Sequence, residues 1–65
     1  MNIGQGVKLR TVDDFDGKVG MITKVLSAGE FYRYEVLVFG YGDKTPYLFR
    51  ESEVEAYNLQ GGGTL

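Results

Sequence analysis

The sequence predicts an all-β domain, a small antiparallel barrel of five strands with a 3₁₀ turn before the last strand. The chain contains seven Val, two Ile, four Thr and nine Phe or Tyr, but only two Ala. β-branched and aromatic side chains suit a pleated, half-buried surface. The ten Gly, with scattered Asp, Asn and Ser, separate short apolar segments. Closely spaced short strands of this kind are typical of small barrels and sandwiches.

The apolar segments place the elements in order along the chain. Strands are predicted over 6–12, 18–26, 31–39, 47–50 and 54–57, and the 3₁₀ turn over 51–53. The acidic stretch 13–17 has turn chemistry, with Phe15 tucked beneath it. Gly20 lies inside the second strand and indicates a bulge or bend there. The barrel is therefore expected over 1–57, followed by a flexible Gly-rich tail over 58–65.

The core is predicted from residues that alternate along these strands. The third strand is the clearest case, because Tyr34, Val36 and Val38 alternate with Arg33, Glu35 and Leu37. Across the chain, the predicted core residues are Val7, Leu9, Val19, Ile22, Val36, Val38, Phe49 and Val54. A chain of 65 residues buries only about 60% of its unfolded surface, so we expect a thin stability margin.

The order of four short motifs carries a family resemblance. The motifs are GVKL at 6–9, GKVGMI at 17–22, RYEVLV at 33–38 and FRESEV at 49–54. Their order and spacing resemble the SH3-like barrels of the photosystem I E subunit and of the variable chain of ferredoxin-thioredoxin reductase. The resemblance covers about residues 6–57. It implies an SH3-like barrel and a non-catalytic partner of a larger assembly. The Gly17-x-x-Gly20-x-Ile22 spacing is also similar, more loosely, to KOW-type barrels.

Composition narrows the possible functions. The chain has no His and no Cys, so the commonest general base and nucleophile are missing, and we expect neither an enzyme nor a cofactor. Residues 1–50 hold seven basic and six acidic side chains (+1), whereas 51–65 hold three Glu and no basic residue (−3). The basic residues are spread along the chain, which argues against high-affinity nucleic-acid binding and leaves a weak contact open.

Two acidic groups and one Gly-rich loop each have a functional and a plain structural interpretation. If the segment 51–55 is extended, the alternating Glu51, Glu53 and Glu55 would give a divalent-cation site or a contact with a basic partner, but a solvated edge that discourages aggregation is favoured. Asp13, Asp14 and Asp16 lack the spacing of a Ca²⁺ loop, so a polar turn is favoured and no metal is predicted. The segment 40–46 contains Lys44-Thr45 followed by Pro46, which indicates a hairpin loop with an exposed Tyr41 rather than a phosphate loop.

The density of aromatic residues predicts an interface. Eight Phe and Tyr lie within residues 31–57, more than so small a barrel can enclose. Exposed aromatic clusters commonly mark binding surfaces, although two or three rings could instead cover the open barrel ends. The predicted partner-binding residues are Tyr32, Phe39, Tyr41, Tyr47 and Arg50. Tyr41 is expected to be unpinned by neighbours, because Gly flanks it on both sides.

The function predicted from the sequence is a docking or structural accessory subunit that binds a protein partner or a larger assembly. The alternative is a KOW-like barrel that stacks aromatics on bases and meets phosphates through Lys8, Arg10, Lys24 and Arg33. The small size of the chain and its Gly-rich tail suggest a phage- or mobile-element-encoded protein, including a virion component. Residues 1–12 do not have the pattern of a signal peptide, so a cytoplasmic or virion-associated protein, neither secreted nor bound to a membrane, is expected.

Overall fold

The computed structural model describes residues 1–27, 29, 31–41 and 44–59. It is an all-β fold of five antiparallel strands, as predicted. The strands are β1 (Gly6–Leu9), β2 (Val19–Val25), β3 (Tyr34–Val38), β4 (Tyr47–Phe49) and β5 (Val54–Ala56). A 3₁₀ turn over Glu51–Glu53 precedes β5, at the predicted position, and no α-helix occurs in these residues.

The strands form one sheet in the order β4-β3-β2-β1-β5, which curls into a half-barrel. All four strand pairs are antiparallel. The first and last strands are neighbours because the 3₁₀ turn carries the chain across from β4. The Arg10 amide then donates to the Glu53 carbonyl at 2.8 Å, where β5 begins beside β1. Strands β4 and β5 are thus the two edges of the sheet.

The observed strands are shorter than the predicted ones. After Leu9 the chain leaves the sheet, because the Thr11 amide donates to Oδ1 of Asp16 at 3.0 Å instead of to a neighbouring strand. Val12 is then fully exposed. Likewise Phe31 and Tyr32 precede β3 with exposed side chains rather than forming its first residues.

The core matches the prediction at seven positions; Tyr34 is buried although it was not among the predicted core residues, and Val19 is not buried although it was. The buried residues are Val7, Leu9, Ile22, Tyr34, Val36, Val38, Phe49 and Val54. Val19 was expected among them and is only half-buried. The register explains the error, since Val19 pairs with Lys8, and residues directly opposite one another share a face of the sheet. Lys8 lies between the inward-facing Val7 and Leu9 and so faces outward, and Val19 faces outward with it.

Gly20 permits a close approach between β2 and β3, whereas the irregularity in the pairing of β2 lies farther along the strand. The register of β2 against β3 shifts between Ile22 and Lys24, not at Gly20 as expected. Gly20 is buried, and a Cβ added there would overlap the Leu37 carbonyl oxygen and lie 2.9 Å from Cγ1 of Val36. The glycine is therefore required by packing at this position.

The end of the described chain still contacts the barrel. Leu59 lies beside Gly6, within the segment predicted as a flexible tail over 58–65. Residues 60–65 of that tail fall outside the described part of the chain. In the part that is described, no helix is long and apolar enough to cross a bilayer.

Candidate protein-binding groove

The acidic loop between β1 and β2 is ordered by its own side chains. Oδ1 of Asp13 accepts a hydrogen bond from the Thr11 hydroxyl at 2.6 Å and another from the Phe15 amide at 3.0 Å. These two bonds hold the pKa of the Asp13 carboxyl below its usual value of 3.8. The polar turn predicted for this segment is confirmed, and it fixes the backbone at Phe15.

Phe15 is the centre of an aromatic cluster over the core. Its ring centroid lies 4.7 Å from that of Tyr41, 5.0 Å from Tyr47 and 5.2 Å from Phe49. Tyr47 and Phe49 reach it together because alternate residues of β4 share one face. Phe49 is buried, while Phe15, Tyr41 and Tyr47 are half-buried and pack against the core. The predicted position of Phe15, tucked beneath its loop, is confirmed.

An open groove of about 440 Å³ lies beside this cluster. Three separate segments form it: the acidic loop, the approach to β3, and β4 with its 3₁₀ turn. The lining residues are Asp13, Phe15, Tyr32, Pro46, Tyr47, Leu48, Phe49 and Glu53. The groove therefore combines aromatic and proline surface with two carboxylates.

Arg50 connects one of these carboxylates to a pair of exposed rings. The Arg50 amide donates to Oε1 of Glu53 at 2.8 Å, and its guanidinium Nη2 lies 3.5 Å from Oε2. The same guanidinium lies 5.3 Å from the ring centroid of Phe31, which is within cation–π range. Phe31 meets Tyr32 edge-on at 4.8 Å. The 3₁₀ turn and the rings before β3 are thereby held together at one side of the groove.

The structure brings most of the predicted binding residues to this region. Tyr32 and Tyr47 line the groove, and Arg50 contacts Glu53 at its edge. Phe39 is 47% exposed but does not line the groove. Tyr41 is half-buried, so the expectation of an exposed, unpinned ring is wrong. Phe15 contacts its ring from a distant part of the sequence. Gly42 and Asp43 of that loop lie outside the described residues.

Six residues that line the groove were not among the predicted binding residues: Asp13, Phe15, Pro46, Leu48, Phe49 and Glu53. Phe15 was placed correctly but not assigned to the site, although an isolated aromatic residue inside an acidic turn was a usable signal. Asp13 was interpreted only as a turn residue. Glu53 was interpreted as part of a solvated edge, whereas Glu51 and Glu53 lie in the 3₁₀ turn and Glu55 in β5. The three Glu therefore do not form one extended face.

Two further basic side chains make contacts away from the groove. Arg10 pairs with Glu55 across β1 and β5, and Arg33 donates to the Leu26 carbonyl at 3.0 Å. Two of the four cations proposed for phosphate contacts are thus engaged within the barrel. Within the described residues, no group of three or more His, Cys, Asp or Glu side chains could hold a metal ion.

Comparison with known proteins gives no relative. No family model, curated protein or solved structure matches this chain. The resemblance to the photosystem I E subunit and the reductase variable chain stays a prediction from the sequence motifs.

Proposed function

We propose that this barrel is a non-catalytic binding module that docks onto a protein partner through the groove beside Phe15. The observation that carries the proposal is the groove itself, where rings from three segments converge next to carboxylates. Apolar surface that a small domain leaves uncovered in a concave site is typical of recognition surfaces. Docking of this kind is the role of an accessory subunit in a larger assembly.

Exposed rings next to the groove support a protein partner. Phe31 is 69% exposed, Tyr32 39% and Leu48 46%, and the first two are already ordered by contact with each other. Rings held in place lose little conformational freedom on binding, so more of the energy of burial remains as affinity. Aromatic residues of this type commonly dominate the energy of protein interfaces.

The negative charge of the groove and of the whole chain favours a protein partner over a nucleic acid. The groove presents Asp13 and Glu53, which would repel phosphates, and the chain has a formal net charge of −2. We expect no measurable affinity for mixed single- or double-stranded oligonucleotides near physiological salt. A micromolar complex that weakens steeply as salt rises would support the KOW-like alternative instead.

The test compares two exposed rings, only one of which lines the groove. The tagged full chain and its Tyr32→Ala and Phe39→Ala variants are used to capture partners from the cells that encode the protein, with mass spectrometry as readout. We expect Tyr32→Ala to weaken the captured complex by about 1–2 kcal/mol, in the range of an interface hot spot. Phe39→Ala removes a ring of similar exposure and is expected to bind normally.

The two variants also indicate where the partner binds if it does not bind in the groove. A partner lost only with Phe39→Ala would place the interface around Phe39, outside the groove. A partner retained by both variants at full affinity would remove the groove from consideration. Melting temperatures of all three chains are measured first, so that loss of fold is not counted as loss of binding.

A further inference from the structure

The groove carries a local excess of negative charge. The two charged side chains that line it, Asp13 and Glu53, are both acidic. The acidic loop adds Asp14 and Asp16, which are both exposed. Arg50 contacts the groove through its loose pair with Glu53. A cationic partner is therefore favoured electrostatically over a neutral or anionic one.

Both groove carboxylates can accept further hydrogen bonds. The two hydrogen bonds of Asp13 use Oδ1 and leave Oδ2 available in an exposed side chain. Oε1 of Glu53 accepts from the Arg50 amide, but Oε2 is 3.5 Å from the guanidinium. This distance is longer than the 2.7–2.9 Å that is usual for a charge-assisted bond. An incoming ammonium or guanidinium group could displace this contact at little cost.

The shape of the groove suits a short extended segment. It is open, and its apolar surface includes the flat rings of Phe15, Tyr32 and Tyr47 together with Pro46 and Leu48. An extended chain advances about 3.3 Å per residue, so a volume of this size accommodates a few side chains of a peptide. Ring faces offer contact area to aliphatic and proline side chains without requiring a specific hydrogen-bond partner.

We propose that the groove binds an extended basic segment of a partner protein. A Lys or Arg side chain of that segment contacts Asp13 and Glu53, and the apolar residues next to it lie on Phe15 and Tyr47. The proposal rests on the proposed function, since it requires the groove to be the docking surface. It adds the chemical class of the bound segment.

The test uses a display library of random twelve-residue peptides, selected on the immobilised full chain. Selected peptides are synthesised with a fluorophore, and their affinities are measured by anisotropy for the parent chain and two double variants. Asp13→Asn with Glu53→Gln removes both groove charges and keeps the oxygens that accept the internal hydrogen bonds. Asp14→Asn with Glu51→Gln removes two exposed charges nearby that do not line the groove. Each pair changes the formal net charge from −2 to 0.

We expect the selected peptides to be enriched in Lys or Arg next to apolar residues. Their affinity should fall about three- to tenfold for the groove pair, the combined effect of two partly exposed ion pairs. It should change less than twofold for the control pair. The same peptides should shift the amide NMR signals of Tyr32 and Tyr47 more than that of Phe39.

Other results would overturn the proposal in distinguishable ways. Peptides that shift the groove signals but lack basic residues would overturn the charge class and leave the docking function intact. Equal weakening by both double variants would indicate non-specific attraction to the net charge of the chain. If no selected peptide shifts the groove signals, the extended-segment proposal fails, and the Tyr32 and Phe39 comparison decides separately whether the groove docks a folded surface.

Discussion

Truncation of Val36 tests the packing on which the whole fold depends. Val36 is fully buried on β3, opposite Ile22 on one side and Tyr47 on the other. Val36→Ala removes the equivalent of two methylene groups, each worth about 0.8 kcal/mol in transfer free energy. The cavity left behind adds to this, so we expect a loss of about 2–3 kcal/mol in the free energy of unfolding. For a domain of this size, that corresponds to a fall of roughly 10–20 °C in Tm.

The chain supplies a matched control for this substitution. Val12→Ala removes the same atoms from a side chain that is fully exposed, so we expect a change of less than about 0.5 kcal/mol. Urea unfolding of both variants is followed by far-ultraviolet circular dichroism, because the chain contains no Trp. Equal unfolding midpoints for the two variants would refute the assignment of the inner face of β3.

Three further substitutions test the strand contact at Gly20, the aromatic cluster and the acidic loop. Gly20→Ala should lower the free energy of unfolding by about 2 kcal/mol or more, because the new methyl group overlaps the Leu37 carbonyl; an unchanged urea midpoint would contradict the close approach. Tyr41→Ala should lower the free energy of unfolding by about 1–2 kcal/mol, because ring contacts are lost. Phe31→Ala, at a 69% exposed site, should lower it by less than about 0.5 kcal/mol. A larger loss for Phe31→Ala than for Tyr41→Ala would place Tyr41 outside the cluster. The lowered pKa of Asp13 means that its carboxylate stabilises the fold fully above the unfolded-state pKa of about 3.8, and that this stabilisation is lost as pH falls through the lower folded-state pKa. The stability difference between the parent chain and Asp13→Asn should therefore shrink below about pH 4, and a difference independent of pH would rule out this linkage.

Local periodicity was sufficient to predict the elements and most of the core. Alternation along β3 is regular, so the inward positions of Val36 and Val38 could be inferred without knowledge of the partner strands. The 3₁₀ turn was also predictable, because the polar segment Glu51–Glu53 separates two short strands. The ends of the strands were less predictable, because they depend on which backbone amide finds a hydrogen-bond partner on a neighbouring strand. The Thr11 amide, for example, donates to Asp16 instead.

The residues of β2 do not by themselves show which face of the strand points into the core. Val19, Met21 and Ile22 are all apolar, so both faces of the strand are plausible by pattern alone. The pairing of Val19 with Lys8 on β1 settled the question, and a register shift of one residue would have reversed it. Pairing with another strand is a tertiary property, which explains why Val19 was wrongly included in the predicted core.

The sequence by itself determined that this chain is a small antiparallel barrel with more aromatic residues than its core can enclose. The tertiary structure decided which of those rings are covered and which are left at a surface. Tyr41 is covered by Phe15, whereas Tyr32 stays 39% exposed beside the groove. The groove exists only because a loop, a strand approach and a strand edge from distant parts of the chain meet there. Composition and periodicity report on neighbours along the chain, and a site assembled from distant segments depends on contacts that only folding creates.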